Sequence, residues 1–109
     1  MPSREQCLTF CYHMFGYYIN TLTVYQWNDE RNLSRQLWTA SKNKGNKWFN
    51  QILRLQQDIG PYHIIFKAVR GNWGLANIAL DDIVIANSNC NGKYKSYRYT
   101  IYVCFYILM

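Results

Sequence analysis

The sequence predicts an all-β chain folded as an antiparallel β-sandwich. Two observations carry the prediction: six short segments show two-residue alternation between Gly, Asn and Pro punctuation, and no segment sustains a period near 3.6. A third is composition. Half of the 109 residues are hydrophobic and 17% are aromatic, a balance that suits pleated, half-buried surfaces. The length suffices for one domain with a packed core and excludes two.

Residues 7–15 alternate Leu8, Phe10, Tyr12 and Met14 against Cys7, Thr9, Cys11 and His13, as a half-buried strand requires, and Gly16 ends the run. Residues 21–27 form a second strand rich in β-branched and aromatic side chains. The polar stretch 28–32 reads as a hairpin loop, and residues 35–41 return as the third strand. Residues 42–46 carry the Asn and Gly of a tight hairpin. A fourth strand follows over 48–56, with Phe49, Leu53 and Leu55 on one face and Trp48 and Ile52 on the other. Residues 62–70 make the strongest strand. Because Lys67 shares a face with His63, Ile65 and Val69, the core set there is Tyr62, Ile64, Phe66 and Ala68.

The sixth strand, 77–86, contains a conflict. Strict alternation from Ile78 and Leu80 would bury Asp82 beside Val84, and an unpaired buried carboxylate is costly. Either a β-bulge at Asp81-Asp82 shifts the parity so that Ile83 and Ile85 face the core, or Asp82 points inward and is held by a cation or backbone donors.

Residues 91–109 change character, with basic and aromatic residues around Lys93, Lys95 and Arg98 followed by an apolar run from Ile101. That run is about half the roughly 20 residues a membrane-spanning helix needs. It reads as a truncated anchor, an added edge strand, or sequence continued past an exon boundary; the last is favoured, because an exposed strand without acidic gatekeepers invites aggregation.

The formal charge of +6 is not one patch: half of the excess lies in the tail, and Lys42, Lys44 and Lys47 sit in a turn, so a nucleic-acid interface is not expected. The four cysteines, Cys7, Cys11, Cys90 and Cys104, fit no zinc or dithiol redox spacing. His13 and His63 lack the partners of a catalytic triad, metalloprotease or phosphate-loop pattern and read as structural imidazoles; enzyme activity is not expected. Asn32-Leu33-Ser34 is an N-glycosylation acceptor in a predicted loop. The N-terminus has no apolar core of a secretory signal.

In order along the chain stand Cys7-Leu8-Thr9-Phe10-Cys11-Tyr12-His13-Met14, Leu22-Thr23-Val24-Tyr25, Trp38, Gly45-Asn46-Lys47-Trp48, Val69-Arg70-Gly71 and Ile78-Ala79-Leu80-Asp81-Asp82-Ile83 before Cys90. Over residues 6–90 this resembles the C-terminal part of a MAM domain, the module of meprin, neuropilin and receptor-type tyrosine phosphatase mu. The resemblance implies a jelly-roll sandwich that is partial, its N-terminal strands missing, and a Cys7–Cys90 disulfide formed in an oxidising compartment. It implies an extracellular, non-catalytic adhesion or interaction module, in a secreted protein or the ectodomain of a membrane protein, with a protein partner or homophilic contact. No cofactor is expected; in the intact domain Asp82 is a candidate ligand for a structural calcium, although one or two carboxylates do not fill a site of six to eight oxygens. Cys11 stands where the family usually has Trp, which implies a lost core aromatic and a thiol that is free or paired with Cys104. Two alternatives stand beside this reading. One is a carbohydrate-binding jelly roll with a platform of Trp27, Trp38, Trp48 or Trp73; the other is a gene fragment without independent activity.

Overall fold

A computed structural model of the chain describes residues 5–16, 21–41, 44–57, 59–70, 76–86, 90, 96–97 and 101–107. They form eight strands: β1 (Cys7–Gly16), β2 (Thr21–Asn28), β3 (Leu33–Ser41), β4 (Trp48–Arg54), β5 (Tyr62–Arg70), β6 (Ala76–Ala86), β7 (Ser96–Tyr97) and β8 (Ile101–Ile107). Sheet A has the order β4-β1-β6-β7 and sheet B the order β3-β2-β5-β8. Two stacked sheets with most connections crossing between them make the jelly-roll sandwich expected from the sequence. Among the described residues no helix is long and apolar enough to cross a membrane.

The alternating residues face where their period places them. Leu8, Phe10 and Met14 of β1, Leu22 and Val24 of β2, and Ile64, Phe66 and Ala68 of β5 are buried, and Leu53 and Leu55 close the core from the β4 side. Each fully buried large side chain contributes on the order of 1.5–3 kcal/mol. Aromatic rings interlock the two layers edge to face: Phe10 meets Phe66 at 5.2 Å and Trp38 at 5.4 Å, and Tyr12 meets Trp38 at 5.0 Å.

The predicted conflict in β6 resolves as a bulge. Thr9 pairs with Val84 and Cys11 with Asp81, so Asp82 and Ile83 together oppose Phe10. Asp82 takes φ 52°, a left-handed conformation that Asp tolerates better than most residues, and its side chain is exposed. The parity shift leaves Ile85 buried and packs Ile83 against the core. A second register shift in the β2–β3 pair inserts Leu37 opposite Val24 and Tyr25, and both Leu37 and Trp38 pack on the core.

Two expectations differ from the structure. β3 and β4 do not pair as the hairpin expected at 42–46, of which 42–43 lie outside the described residues: β3 belongs to sheet B and β4 to sheet A, and the Lys44 amide donates to the Met14 carbonyl at 2.9 Å. Turn residues report a change of direction, not which sheet the next strand joins. Of the three readings of residues 91–109, the added edge strand matches the described residues there: β7 adds antiparallel to β6, and β8 adds parallel to β5 as the edge of sheet B. That parallel pair departs from the otherwise antiparallel sheets, and it is feasible because the chain between β5 and β8 first passes through sheet A. Cys11, expected to replace a core aromatic, alternates with the buried Phe10 and Tyr12 and so lies on the outer face of sheet A.

One buried polar group organises the open end. The Gln26 side chain, 1% exposed, donates to the Gln56 carbonyl at 3.1 Å and accepts from the Gln56 amide at 2.8 Å, so a side chain stands in for a ladder partner beyond the end of β4.

Candidate interaction surface

The residues of β1 that alternate away from the core, Thr9, Cys11, His13 and Phe15, form the middle of the outer face of sheet A. Register aligns Thr9 with Ile52, Cys11 with Asn50 and His13 with Trp48 on β4, and aligns the same three with Val84, Asp81 and Ala79 on β6. Trp48 is 52% exposed, Ile52 51% and Phe15 41%. Phe15 and Trp48 flank His13 at one end of this face and Ile52 stands at the other, which makes the face a candidate contact surface.

His13 belongs to this face as packing. Its ring lies 5.3 Å from the Trp48 ring and 6.2 Å from that of Phe15, and Nε2 is 3.0 Å from Asn46 Oδ1. His63 stands on the other sheet, paired with the Asp29 carboxylate. The two imidazoles are on opposite layers and share no site.

Between the two apolar ends lies a polar centre. The Cys11 thiol donates to Asn50 Oδ1 at 2.7 Å, with Asp82 Oδ2 at 3.8 Å. Desolvation, then the negative charges of Asp82 and Asp81, push the thiol up from its ordinary value of 9.0 and keep it protonated. Cys11 is a free thiol, and the strand holding Cys104 belongs to the other sheet, where residue 104 is in register with Lys67. Asp82, the candidate calcium ligand of the intact domain, stands exposed at the bulge, where its backbone amide donates to Asp81 Oδ1 at 2.8 Å.

Cys7 and Cys90 form a disulfide with a Cα–Cα distance of 5.4 Å, tying the start of β1 to the chain beyond β6. Glu5 lies beside the two sulfurs. Their bond to each other leaves no thiolate there for a metal.

The described tryptophans do not assemble a platform. Trp38 packs between the layers, Trp48 stands on the outer face of sheet A, and Trp27 pairs with His63 and Ser34 in sheet B; Trp73 lies outside the described residues. The acceptor residue Asn32 is exposed in the turn that joins β2 and β3.

Alternation separates Trp48 and Ile52 from Phe49, Leu53 and Leu55 but does not say which set points outward or gather the two with Phe15 and His13 into a face. The missing signal is which strands flank β1, a long-range fact absent from local alternation.

Comparison with known proteins agrees with this architecture. The family model described as MAM domain, meprin/A5/mu, matches residues 1–91. MAM domain-containing glycosylphosphatidylinositol anchor protein 1 of Gallus gallus is 34% identical over 94 residues, covering 85% of this chain and 10% of that protein. The human protein of the same name is 35% identical, covering 84% and 10%. Neuropilin-1 of Xenopus laevis is 37% identical over 82 residues, covering 74% and 9%. The chain thus spans about a tenth of the length of the curated relatives it matches. The family model over residues 1–91 and these relatives establish that the chain belongs to the MAM domain family.

Proposed function

We propose that the chain is a non-catalytic extracellular interaction module that makes its contact through the outer face of sheet A. The observation that carries this reading is the exposure of Phe15, Trp48 and Ile52 together on one face of a rigid two-sheet body. Aromatic residues anchored on rigid strands lose little entropy on binding, which suits them to be the energetic centre of a protein contact. The Cys7–Cys90 disulfide supports the compartment, since such bridges persist in oxidising surroundings. The names of the anchored relatives support a place at the cell surface.

The test is adhesion of beads carrying the oxidised chain to cells and to one another. The double variant Trp48→Ser/Ile52→Ser is expected to weaken adhesion by at least about 2 kcal/mol, the scale of an aromatic anchor. At exposed positions its unfolding free energy should change by only roughly 0.5 kcal/mol per site. A folded double variant that adheres as well as the parent excludes this face as the contact; a parent chain that adheres to neither excludes the module reading.

A further inference from the structure

We infer that Asn32 is an N-glycosylation site and that its first N-acetylglucosamine rests on the polar groove beside Leu33. Asn32-Leu33-Ser34 supplies the acceptor amide and the hydroxyl that the modification requires at that spacing. The turn presents them outward. Asn28 Oδ1 accepts from the Glu30 and Arg31 amides at 3.0 Å each, Asn28 Nδ2 donates to the Ile59 carbonyl at 3.0 Å, and the Asn32 amide donates to the Asn28 carbonyl at 2.9 Å. Asn32 itself takes φ 57°, is exposed, and among the described residues its side chain makes no hydrogen bond.

The second observation is what flanks it. Arg31 and Leu33 both line a groove of about 510 Å³, together with Glu30, Arg35 and Gln57. Leu33 is 63% exposed, the most exposed large apolar residue among those described. An N-acetylglucosamine matches both features: its ring and acetyl methyl cover an apolar side chain, and its hydroxyl and amide groups satisfy guanidinium, carboxylate and carboxamide partners. In the transfer, Asn32 Nδ2 bonds to the anomeric carbon of an oligosaccharide carried on a lipid pyrophosphate. The bond from that carbon to the pyrophosphate oxygen breaks, the lipid pyrophosphate leaves with the bonding electrons, and the amide gives up one proton to solvent. No oxidant or reductant is needed.

This inference shares only the compartment with the interaction-module reading. Occupancy is read from mass and adhesion from beads, so either can fail alone. The full chain is led into the secretory pathway of cultured animal cells, and the intracellular and secreted pools are both analysed, so a folding failure does not mask the result. The expected outcome is a mass increment of one N-glycan, removed by a peptide N-glycosidase, lost in Asn32→Gln and Ser34→Ala and kept in Ser34→Thr. Translocated chain without that increment overturns the site. For the seat, proton cross-relaxation between the acetyl methyl of the first sugar and the Leu33 methyls is expected in the glycosylated protein and lost in Leu33→Ser, which keeps the acceptor pattern. Occupied Asn32 without that signal overturns the groove contact.

Discussion

At the scale of single residues, Cys11 shows how one face assignment changes a chemical expectation. A core thiol would be inert through burial; on the outer face of sheet A it is restrained by its neighbours, partial desolvation first and then the Asp82 and Asp81 charges. Because the folded thiol titrates above the unfolded one, its contribution to stability is fully present below about pH 9 and is lost as pH rises through the folded value. The same shift governs reactivity, since only the thiolate alkylates rapidly. At about pH 8.5, near the unperturbed thiol value, iodoacetamide labelling of Cys11 in the folded protein should be slower than in urea. It should accelerate in Asp82→Asn, which removes a charge while keeping a side chain tolerant of the left-handed backbone. Peptide mapping by mass spectrometry isolates Cys11 from the other cysteines, and equal rates in Asp82→Asn and the parent would show that the carboxylate does not set the thiol.

At the scale of elements, the β1–β6 pair depends on the bulge that lets Ile83 and Ile85 reach the core while Asp82 stays in water. Since Asp82 has φ 52°, Asp82→Gly should leave stability within roughly 0.5 kcal/mol of the parent. Asp82→Val, β-branched and disfavoured in that region, should cost about 1–2 kcal/mol in denaturant unfolding. Equal midpoints for the two variants would argue against a left-handed residue at this position. Much of this level was legible in the chain. The carboxylate at a core-parity position announced the irregularity, and the alternation of Leu8, Phe10, Tyr12 and Met14 and of Ile64, Phe66 and Ala68 gave the inner faces. The sheet change between β3 and β4 and the parallel docking of β8 were not legible. Both depend on which strand edge lies open in space, and neither turn chemistry nor two-residue alternation encodes that. The candidate contact face was half legible for the same reason, because Trp48 and His13 meet only through the β1–β4 register.

At the scale of the molecule, the sandwich is stitched by long-range pairings: β1 lies between β4 and β6, and β2 between β3 and β5. Such a topology orders much of the chain before its contacts reward it, so restricting the unfolded ensemble has large leverage. The Cys7–Cys90 disulfide spans 83 residues, and closing a loop of that length removes about 4.5 kcal/mol of unfolded-chain entropy in the loop-entropy model. Domains of this size are stable by only about 5–15 kcal/mol. Cys7→Ser/Cys90→Ser should therefore lose roughly 3–5 kcal/mol in chemical unfolding, placing the chain near the margin of folding at body temperature. Cys11→Ser, at an outer-face position, should change stability by less than about 1 kcal/mol and controls for thiol removal itself. Because the bridge acts mainly on the unfolded state, its loss should appear chiefly as slower folding if the ends of the body meet in the transition state, and as faster unfolding if they meet later. A double serine variant as stable as the parent would mean that β1 and the end of β6 are held by sheet pairing alone.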